Sequence, residues 1–197
     1  MTNDDNPYSL VEANDSVLVV IDVQDAFLDK LPRQDGERLV NNICWLIKLA
    51  MWRQIPLVVT AEEFDEQPLA RKIVDILPAN TPIFDKVVFG LSHQPDILAA
   101  LDQTGRKTTV LIGLETDVCV MHSAIGLLEH GYRVVVVADA TGTPVPGQEI
   151  GLTRMRNAGA ITVNMKGLFY EWLRTVEAVN RFHKELPDMR DQAGVVL

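Results

Sequence analysis

Apolar residues in this chain occur in short unbroken runs, and segments with helical periodicity separate these runs from one another. The first run, VLVVI at residues 17–21, lacks the alternation of a half-exposed strand and therefore indicates a strand covered on both faces. Similar runs or extended segments follow, and we expect a strand at each of them: residues 56–60, 83–88, 108–112, 133–138 and 161–163.

Helical patterns occupy the segments between these strands. Gly131 and Gly159 each directly follow one of these helical segments. Both suit a helix end, because glycine readily adopts the left-handed conformation found there. This alternation of strands and helices predicts a parallel sheet with helices packed on both faces. We expect helices at residues 36–53, 69–77, 95–101, 117–130, 148–157 and from 168 to near 187, after which the chain looks like a tail.

The composition suits one α/β domain. The chain has 197 residues, 47% of them hydrophobic, which is enough for a two-sided core. We therefore expect a single domain over residues 1–197, with its core at about 15–175 and a C-terminal helix and tail at 176–197. The formal net charge of −9 and the lack of a basic run argue against nucleic acid and anionic membranes as partners.

Targeting and redox signals favour the cytoplasm. The stretch MTNDDNPYSL has neither the basic nor the apolar region of a signal peptide. No apolar stretch approaches the roughly 20 residues that span a bilayer. The two cysteines, Cys44 and Cys119, lie far apart and form no CxxC pair, so we expect a cytoplasmic protein with reduced thiols.

Three reactive side chains come at the ends of predicted strands. Asp22 directly follows VLVVI, Lys86 comes after the start of the third extended segment, and Cys119 follows TTVLI after a short turn. Ligands of open parallel sheets bind at the carboxyl ends of the strands, so the three side chains could converge there. Each also has a plainer interpretation: Asp22 as a turn cap, Lys86 as a lysine that reaches solvent, and Cys119 as a small buried hydrophobe.

The position of Cys119 in its predicted helix favours a reactive thiol. With Thr116 or Asp117 as the N-cap, Cys119 lies in the first turn, where unpaired amides and the helix dipole favour a thiolate and could hold an oxyanion. The predicted apolar face of this helix consists of Val118, Met121, Ala124, Ile125 and Leu128. We expect the stripe of Cys119 to point away from that face, together with Ser123, Gly126 and His130.

Polar and aromatic residues nearby are candidates for a substrate pocket: Gln24, Phe27, His93 and His122. His122 also raises a Cys–His alternative, because it lies three residues after Cys119 on the same predicted helix. The four histidines form no metal-ligand pattern, and the GxGxxG, Walker and GxSxG motifs are absent from the sequence. We therefore expect neither a metal nor a cofactor.

Three stretches resemble the isochorismatase-like cysteine hydrolases: VLVVIDVQDAFL, DKVVFG and LIGLETDVCVMHSAIGLLEHGYRVVVVADA. Their order and spacing match that family over about residues 17–173. The resemblance implies a three-layer α-β-α sandwich with a six-stranded, Rossmann-like parallel sheet. It further implies a catalytic triad at Asp22, Lys86 and Cys119, a cis peptide at Leu114–Glu115, and an oxyanion hole made by the amides of Glu115 and Cys119.

Two departures from the family narrow the expected activity. Metal-dependent nicotinamidases carry an Asp and His cluster after the second strand, where this chain has TAEEFDEQP without histidine. Isochorismatases that cleave a vinyl ether usually lack the cysteine, so Cys119 favours acyl transfer from an amide. The stretch LTRMRNAGAITVNMKGL is similar to the isochorismatase-domain branch, for which the resemblance supplies no substrate.

The resulting hypothesis is a cysteine hydrolase that cleaves a small amide-type C–N bond through a thioester, with Asp22 as general base. The alternatives are a vinyl-ether hydrolase, a peroxide-reactive thiol protein and a non-catalytic module on the same fold. We expect a small neutral or weakly charged substrate, with a pocket shaped by loops at residues 62–68, 91–94 and 141–148. By resemblance we also expect a homo-oligomer, a dimer or higher.

Overall fold

Parallel strands form one sheet, as the unbroken apolar runs predicted. The computed structural model describes residues 9–63 and 69–190 of the chain. Within this part the strands are β1 (Ser16–Ile21), β2 (Leu57–Glu62), β3 (Ile83–Lys86), β4 (Thr108–Leu114), β5 (Arg133–Gly142) and β6 (Ile161–Val163). They form a six-stranded sheet in the order β3-β2-β1-β4-β5-β6, and every neighbouring pair is parallel.

Helices connect the strands. In the described residues they are α1 (Asp25–Leu28), α2 (Arg33–Trp52), α3 (Arg71–Val74), α4 (Pro95–Gln103), α5 (Met121–Glu129), α6 (Gly147–Asn157), α7 (Met165–Leu173) and α8 (Val176–Glu185). Local chemistry explains where several of these helices begin. Pro95 opens α4, where its missing amide hydrogen costs nothing, and the Asn164 side chain caps α7 by accepting a hydrogen bond from the Gly167 amide.

The helices cover both faces of the sheet, so the side chains of β1 alternate between two apolar clusters. Leu18 and Val20 pack in the cluster that α2 and α7 complete. Val17, Val19 and Ile21 pack in the cluster that α4, α5 and α6 complete. Burying one side chain of this size contributes roughly 1.5–3 kcal/mol. The predicted three-layer α/β sandwich is confirmed.

The segment after the last strand contains two helices, whereas the sequence predicted a single helix from residue 168 onward. Between α7 and α8, Arg174 has a positive φ of 65°. The next residue, Thr175, caps α8 because its hydroxyl accepts a hydrogen bond from the Ala178 amide. Apolar spacing continues through the break, so periodicity alone did not reveal it.

The apolar core extends beyond residue 175, where the sequence suggested its end. Phe182 of α8 is fully buried, and its ring meets the Trp45 ring edge-on at 5.9 Å. The Trp45 indole N–H donates a hydrogen bond of 2.9 Å to the carbonyl O of Met189, which is buried in turn. The chain is therefore packed as far as Met189, and the last part of the predicted tail, residues 191–197, lies outside the described residues. None of the helices in the described ranges is both long and apolar enough to cross a membrane.

Candidate active site

The strand order reverses between β1 and β4, which lie side by side in the sheet. In doubly wound sheets such a switch point opens a crevice at the carboxyl ends of the strands, and ligands bind there. Asp22 directly follows β1, Lys86 ends β3, and Cys119 lies in the turn after β4. The structure brings these three side chains into one cluster, and Glu62, the last residue of β2, joins them as a fourth member.

Asp22 is fully buried and is held by the neighbouring strand β2. Its amide N–H donates to the carbonyl O of Thr60 at 3.1 Å, and the Thr60 hydroxyl donates to Asp22 Oδ1 at 2.8 Å. Oδ2 forms an ion pair with Lys86 Nζ at 3.0 Å. Burial raises the pKa of Asp22, and the positive charge of Lys86 offsets this effect only in part.

Lys86 is fully buried and does not reach solvent. Its Nζ lies 3.0 Å from Asp22 Oδ2, 3.0 Å from Glu62 Oε2, 2.8 Å from the carbonyl O of Val88 and 3.6 Å from Cys119 Sγ. Burial alone would lower the pKa of Lys86, but the charge of Asp22 and the contacts with Cys119 and Glu62 outweigh burial and raise it. Lys86 is therefore an ammonium ion that links the other members of the cluster.

Glu62 is the site residue that the sequence reasoning did not single out. Its Oε2 accepts a hydrogen bond of 3.2 Å from Cys119 Sγ and one of 3.0 Å from Lys86 Nζ. Its side chain is 23% exposed, whereas Asp22 and Lys86 are completely buried. The signal was available, because Glu62 ends an apolar strand just as Asp22 follows one. The rest of the loop expected to shape the pocket, at residues 64–68, lies outside the described ranges.

Two predicted pocket residues, Gln24 and Phe27, brace the loops around the cluster. Gln24 Oε1 accepts a hydrogen bond of 2.7 Å from the Glu62 amide, and Gln24 Nε2 donates one of 3.0 Å to the Glu62 carbonyl O. Gln24 thereby positions the Glu62 main chain. The Phe27 ring centroid lies 4.7 Å from Lys30 Nζ, which pairs with Glu115 Oε1 at 3.1 Å. These contacts tie the loop after β1 to the loop after β4.

Cys119 lies in a π-helical turn, Thr116–Val120, that precedes α5, and not in the first α-helical turn that the sequence predicted. Glu115 takes the N-cap position, and its carbonyl O accepts hydrogen bonds from two amides of the turn, each at 3.1 Å. The peptide bond Leu114–Glu115 is cis. π turns are rare in proteins, but those that occur are often found at functional sites. The oxyanion role expected for the amides of Glu115 and Cys119 stays a prediction.

The Cys119 side chain faces the protein interior, although the sequence placed it on a stripe away from the predicted apolar face. Cys119 is 3% exposed, and Ser123 and Gly126 on the same stripe are also buried. Ser123 Oγ accepts a backbone hydrogen bond of 3.3 Å from the 3-10 turn Leu91–His93, and a Cβ at Gly126 would collide with the Ser92 side chain. Small side chains are needed for this close packing, and an argument from apolar residues alone does not find such a buried face. Three residues of the predicted apolar face are only half-buried, namely Val118, Ile125 and Leu128.

The surroundings of Cys119 favour the protonated form of its thiol. Burial raises the pKa of Cys119, and the negative charges of Asp22 and Glu62 raise it further against the opposing effect of Lys86. Burial and the neighbouring carboxylates thus oppose the effect of the helix terminus, which the sequence suggested would favour a thiolate. For its sulfur to attack a carbonyl, such a thiol would first have to give its proton to a neighbouring group.

A metal centre is not the best description of this cluster. Asp22, Glu62 and Cys119 each place one donor atom within 4.8 Å of the others. However, Lys86 Nζ lies 3.0 Å from both carboxylates and already supplies the positive charge between them. The arrangement is that of a thiol with charged partners.

The predicted pocket histidines lie beside the cluster and not within its hydrogen bonds. His122 is exposed, and its ring meets the Phe89 ring edge-on at 5.9 Å. The Phe89 ring centroid lies 6.0 Å from Lys86 Nζ, so this aromatic pair borders the site. His93 is exposed in the turn after β3. The Cys–His alternative receives no support, because the hydrogen bonds of Cys119 Sγ in the described part of the chain join it to the charged cluster.

The family model for the isochorismatase domain matches residues 16–166. This span covers most of the chain and includes all four members of the cluster. The chain therefore belongs to the isochorismatase-like hydrolase family, and the resemblance inferred from the three sequence stretches is confirmed.

Individual relatives share the fold over nearly their whole length. "Probable hydrolase YcaC" of Escherichia coli is 26% identical over 193 residues, 94% of this chain and 93% of YcaC. Its crystal structure, described as an octameric hydrolase of unknown specificity, has a TM-score of 0.81 to this chain over 94% and 95% of the two chains. YcaC from Pseudomonas aeruginosa, solved with hexane-2,5-diol and covalent acrylamide, is 26% identical, with a TM-score of 0.78 over 92% and 94%. MAR1 ribonuclease from Caenorhabditis elegans is 25% identical, with a TM-score of 0.81 over 96% and 98%.

Proposed function

We propose that this protein is a cysteine hydrolase that cleaves a small amide-type C–N bond through a thioester, with Asp22, Lys86 and Cys119 as its triad. The observation that carries the proposal is a buried thiol 3.6 Å from a buried ammonium, which itself pairs with Asp22 at 3.0 Å. Buried charges are costly, and clusters that perturb pKa values are typical of functional sites. The covalent acrylamide in YcaC from Pseudomonas aeruginosa supports a reactive nucleophile in a related protein.

The first half-reaction joins Cys119 Sγ to the carbonyl carbon of the substrate. Because the resting site holds a thiol, its proton passes to a carboxylate of the cluster as the sulfur attacks. The amides of Glu115 and Cys119 would hold the negative charge that develops on the carbonyl oxygen. Lys86 stays between sulfur and carboxylates and offsets their charge.

The second half-reaction releases first the amine and then the acid. The proton on the carboxylate moves to the leaving nitrogen as the C–N bond breaks, which leaves a thioester on Cys119. A water molecule then attacks the thioester and gives one proton to the carboxylate, and this proton returns to sulfur as the thioester breaks. The sum is hydrolysis of one C–N bond by one water, with the enzyme unchanged.

A redox role for Cys119 has less support. Both cysteines are free, and they pack on opposite faces of the sheet, Cys44 against the cluster completed by α2 and Cys119 in the cluster completed by α5. The sheet thus stands between Cys119 and the other thiol that could resolve it. The raised pKa of Cys119 also argues against a peroxide-reactive thiolate.

We further propose a small-molecule substrate and a cytoplasmic homo-oligomer, a dimer or higher, with no cofactor. The octamer formed by YcaC of Escherichia coli supports assembly. MAR1, a ribonuclease, shares the fold. However, the net charge of −9 does not favour a polyanionic substrate for this chain.

Replacing each thiol in turn tests the proposed function. Ammonia release is measured with the wild type, Cys119→Ala and Cys44→Ala across a panel of primary amides, ureido compounds and carbamoyl amino acids. Cys119→Ala should lower turnover of any amide that the wild type hydrolyses by about 1000-fold or more, because the nucleophile is lost. Cys44→Ala removes a thiol on the other face of the sheet and should keep wild-type turnover.

A vinyl ether, whose cleavage is followed by product analysis, is added to this panel so that other outcomes can favour the alternatives. Full amide turnover by Cys119→Ala would contradict the thioester route. Turnover of a vinyl ether without any amide cleavage would favour an isochorismatase-type reaction. A wild type that is inert towards both classes would favour a non-catalytic module.

A further inference from the structure

The Cys119 thiol is covered by its surroundings. Cys119 is 3% exposed, and its partners Asp22 and Lys86 are completely buried. An amide carbonyl must touch Sγ before a bond can form, and this degree of exposure leaves little room for it. The proposed reaction therefore requires that an element near the thiol moves.

Two elements beside Cys119 are packed too closely to move far. A Cβ at Gly147 of α6 would collide with the Asp117 side chain, so α6 lies directly on the turn that carries the thiol. On the other side, α5 contacts the turn after β3, where a Cβ at Gly126 would collide with Ser92. Neither contact leaves space for the displacement that a substrate needs.

The segment of residues 24–30 after β1, here called the covering segment, is packed more loosely. None of the residues in its helix α1 is buried. A cavity of about 470 Å³ lies between α1 and the neighbouring helices α2 and α3, and Leu31 also lines a second cavity of about 440 Å³. Segments with few buried contacts open locally at a low cost in free energy.

Contacts at its two ends place the covering segment across the carboxyl ends of three neighbouring strands. Gln24 joins the main chain of Glu62, at the end of β2, through hydrogen bonds of 2.7 and 3.0 Å. Lys30 Nζ pairs with Oε1 of Glu115, directly after β4, at 3.1 Å. Because β1 lies between β2 and β4 in the sheet, the segment passes over the crevice that contains the charged cluster.

We propose that the covering segment is a gate over Cys119 and that the ion pair between Lys30 and Glu115 holds this gate closed. The inference rests on the proposed function, because the covered thiol is the proposed nucleophile. The two ends of the segment differ in strength. Gln24 makes two hydrogen bonds to main chain, whereas the Lys30 side chain is 47% exposed, and exposed ion pairs are weak and screened by salt. The Lys30 end therefore opens first, while the Gln24 end stays attached.

Alkylation of Cys119 tests the gate without any substrate. The parent is the full-length chain with Cys44→Ala, in which Cys119 is the single thiol, and its labelling by acrylamide at constant pH is followed by intact-protein mass spectrometry. Lys30→Met should raise the labelling rate about two- to fivefold, because an exposed ion pair no longer favours the closed form. Loss of a nearby cation would by itself disfavour the thiolate, so the charge effect has the opposite sign.

Matched variants separate the gate from general effects. Arg33→Met breaks another exposed ion pair, with Glu37 at 2.9 Å, and should keep the parent rate. Lys30→Glu should raise the rate because it repels Glu115, and exchanging the two charges, Lys30→Glu with Glu115→Lys, should restore the parent rate. A bulkier reagent, N-phenylmaleimide, should gain more from Lys30→Met than acrylamide does, since it needs a wider opening.

Salt provides a test that needs no substitution at the gate. Raising the KCl concentration from about 0.05 M to about 0.5 M screens an exposed ion pair. The labelling rate of the parent should therefore rise about twofold or more, whereas the rate of Lys30→Met should stay constant.

The comparison of Lys30→Met with Arg33→Met decides the inference. Faster labelling in Lys30→Met alone, together with the loss of the salt effect, supports the gate. Equal rates in Lys30→Met and the parent, an equal rise in Arg33→Met, a salt effect that persists in Lys30→Met, or a charge exchange that does not restore the rate overturns it. If the wild type hydrolyses no amide, only the proposed function fails, because labelling needs no substrate.

Discussion

At the scale of single residues, the charged cluster shows how partners change what each side chain can be. Burying an unpaired charge costs several kcal/mol, but Lys86 and Asp22 pair at 3.0 Å, and each has further partners. Removing one member of such a pair typically costs about 3–5 kcal/mol, because the other charge stays buried and unpaired. The members therefore hold one another in place. Glu62 completes the set from the side that reaches solvent.

The raised pKa of Asp22 gives the stability of the protein a definite pH dependence. Burial lifts the pKa of Asp22 in the folded state above its ordinary value of 3.8. Above pH 3.8 the folded state therefore keeps a proton that the unfolded state has released, and the free energy of unfolding falls as the pH rises through the folded-state pKa. Asp22→Asn removes this titration. The stability of the wild type relative to Asp22→Asn should thus decline as the pH rises above about 4, as measured by urea unfolding.

A second carboxylate provides the control for this pH series. Asp29 is exposed at the end of α1, so Asp29→Asn should leave the pH dependence of the wild type unchanged. If the stability of the wild type relative to Asp22→Asn increased with pH, Asp22 would be stabilised in its ionised form, against the direction inferred from its burial.

The sequence predicted well which residues lie together in the site. It predicted less well how deeply those residues are buried. Asp22, Lys86 and Cys119 follow or end strands, and the rule for carboxyl ends of parallel strands brings them together. The burial of the stripe that carries Cys119 depends on packing between α5 and a turn some 30 residues earlier, where Gly126 meets Ser92. Local periodicity carries no information about such a contact.

At the scale of elements, the close pairing of β1 with β4 unites the two halves of the site. Gly113 lies beside Ile21 in this pair, and its φ of 123° is a conformation that favours glycine. A Cβ at this position would overlap the main chain of Ile21, the residue directly before Asp22. The strands can approach so closely only because position 113 has no side chain.

Gly113→Ala should therefore destabilise the protein by at least about 3 kcal/mol or prevent folding, because the strands must separate at the switch point. Gly105→Ala is the matched control. Gly105 also has a positive φ, 68°, but a Cβ there would meet nothing within 4 Å, so only the conformational cost of about 1–2 kcal/mol applies. Thermal and urea unfolding compare the two variants. Equal losses would show that the contact with Ile21 does not limit stability.

Elements were predictable where burial leaves a local pattern. The four inner strands were predictable because coverage on both faces makes them continuous apolar runs, whereas the edge strands β3 and β6 are only partly buried. Their bounds differ in places, since β5 continues past residue 138 to Gly142 and β3 stops at Lys86. The π turn before α5 and the break at Arg174 were missed. Both depend on backbone geometry and caps at one or two residues, while the apolar spacing runs on unchanged.

At the scale of the whole molecule, aromatic packing joins the C-terminal helix to the rest of the fold. The Phe182 ring meets the rings of Trp45, Trp52 and Phe169 at centroid distances of 5.9, 5.3 and 5.0 Å. Each such pair contributes about 0.5–1.5 kcal/mol beyond the area it buries. The segment that the sequence placed outside the core therefore completes the face of the sheet opposite Cys119.

Phe182→Ala should lower the free energy of unfolding by about 3–5 kcal/mol, because it leaves a cavity among these rings. Val176→Ala in the same helix is the control, since the Val176 side chain is 77% exposed and its loss should cost within about 0.5 kcal/mol. Urea unfolding measures both. Folded Phe182→Ala should keep the wild-type rate at which acrylamide labels Cys119, measured by mass spectrometry, because the sheet separates Phe182 from the site. A loss under about 1 kcal/mol would mean that α8 contributes little to stability, and a changed labelling rate would mean that the C-terminal helix and the site are coupled through the sheet.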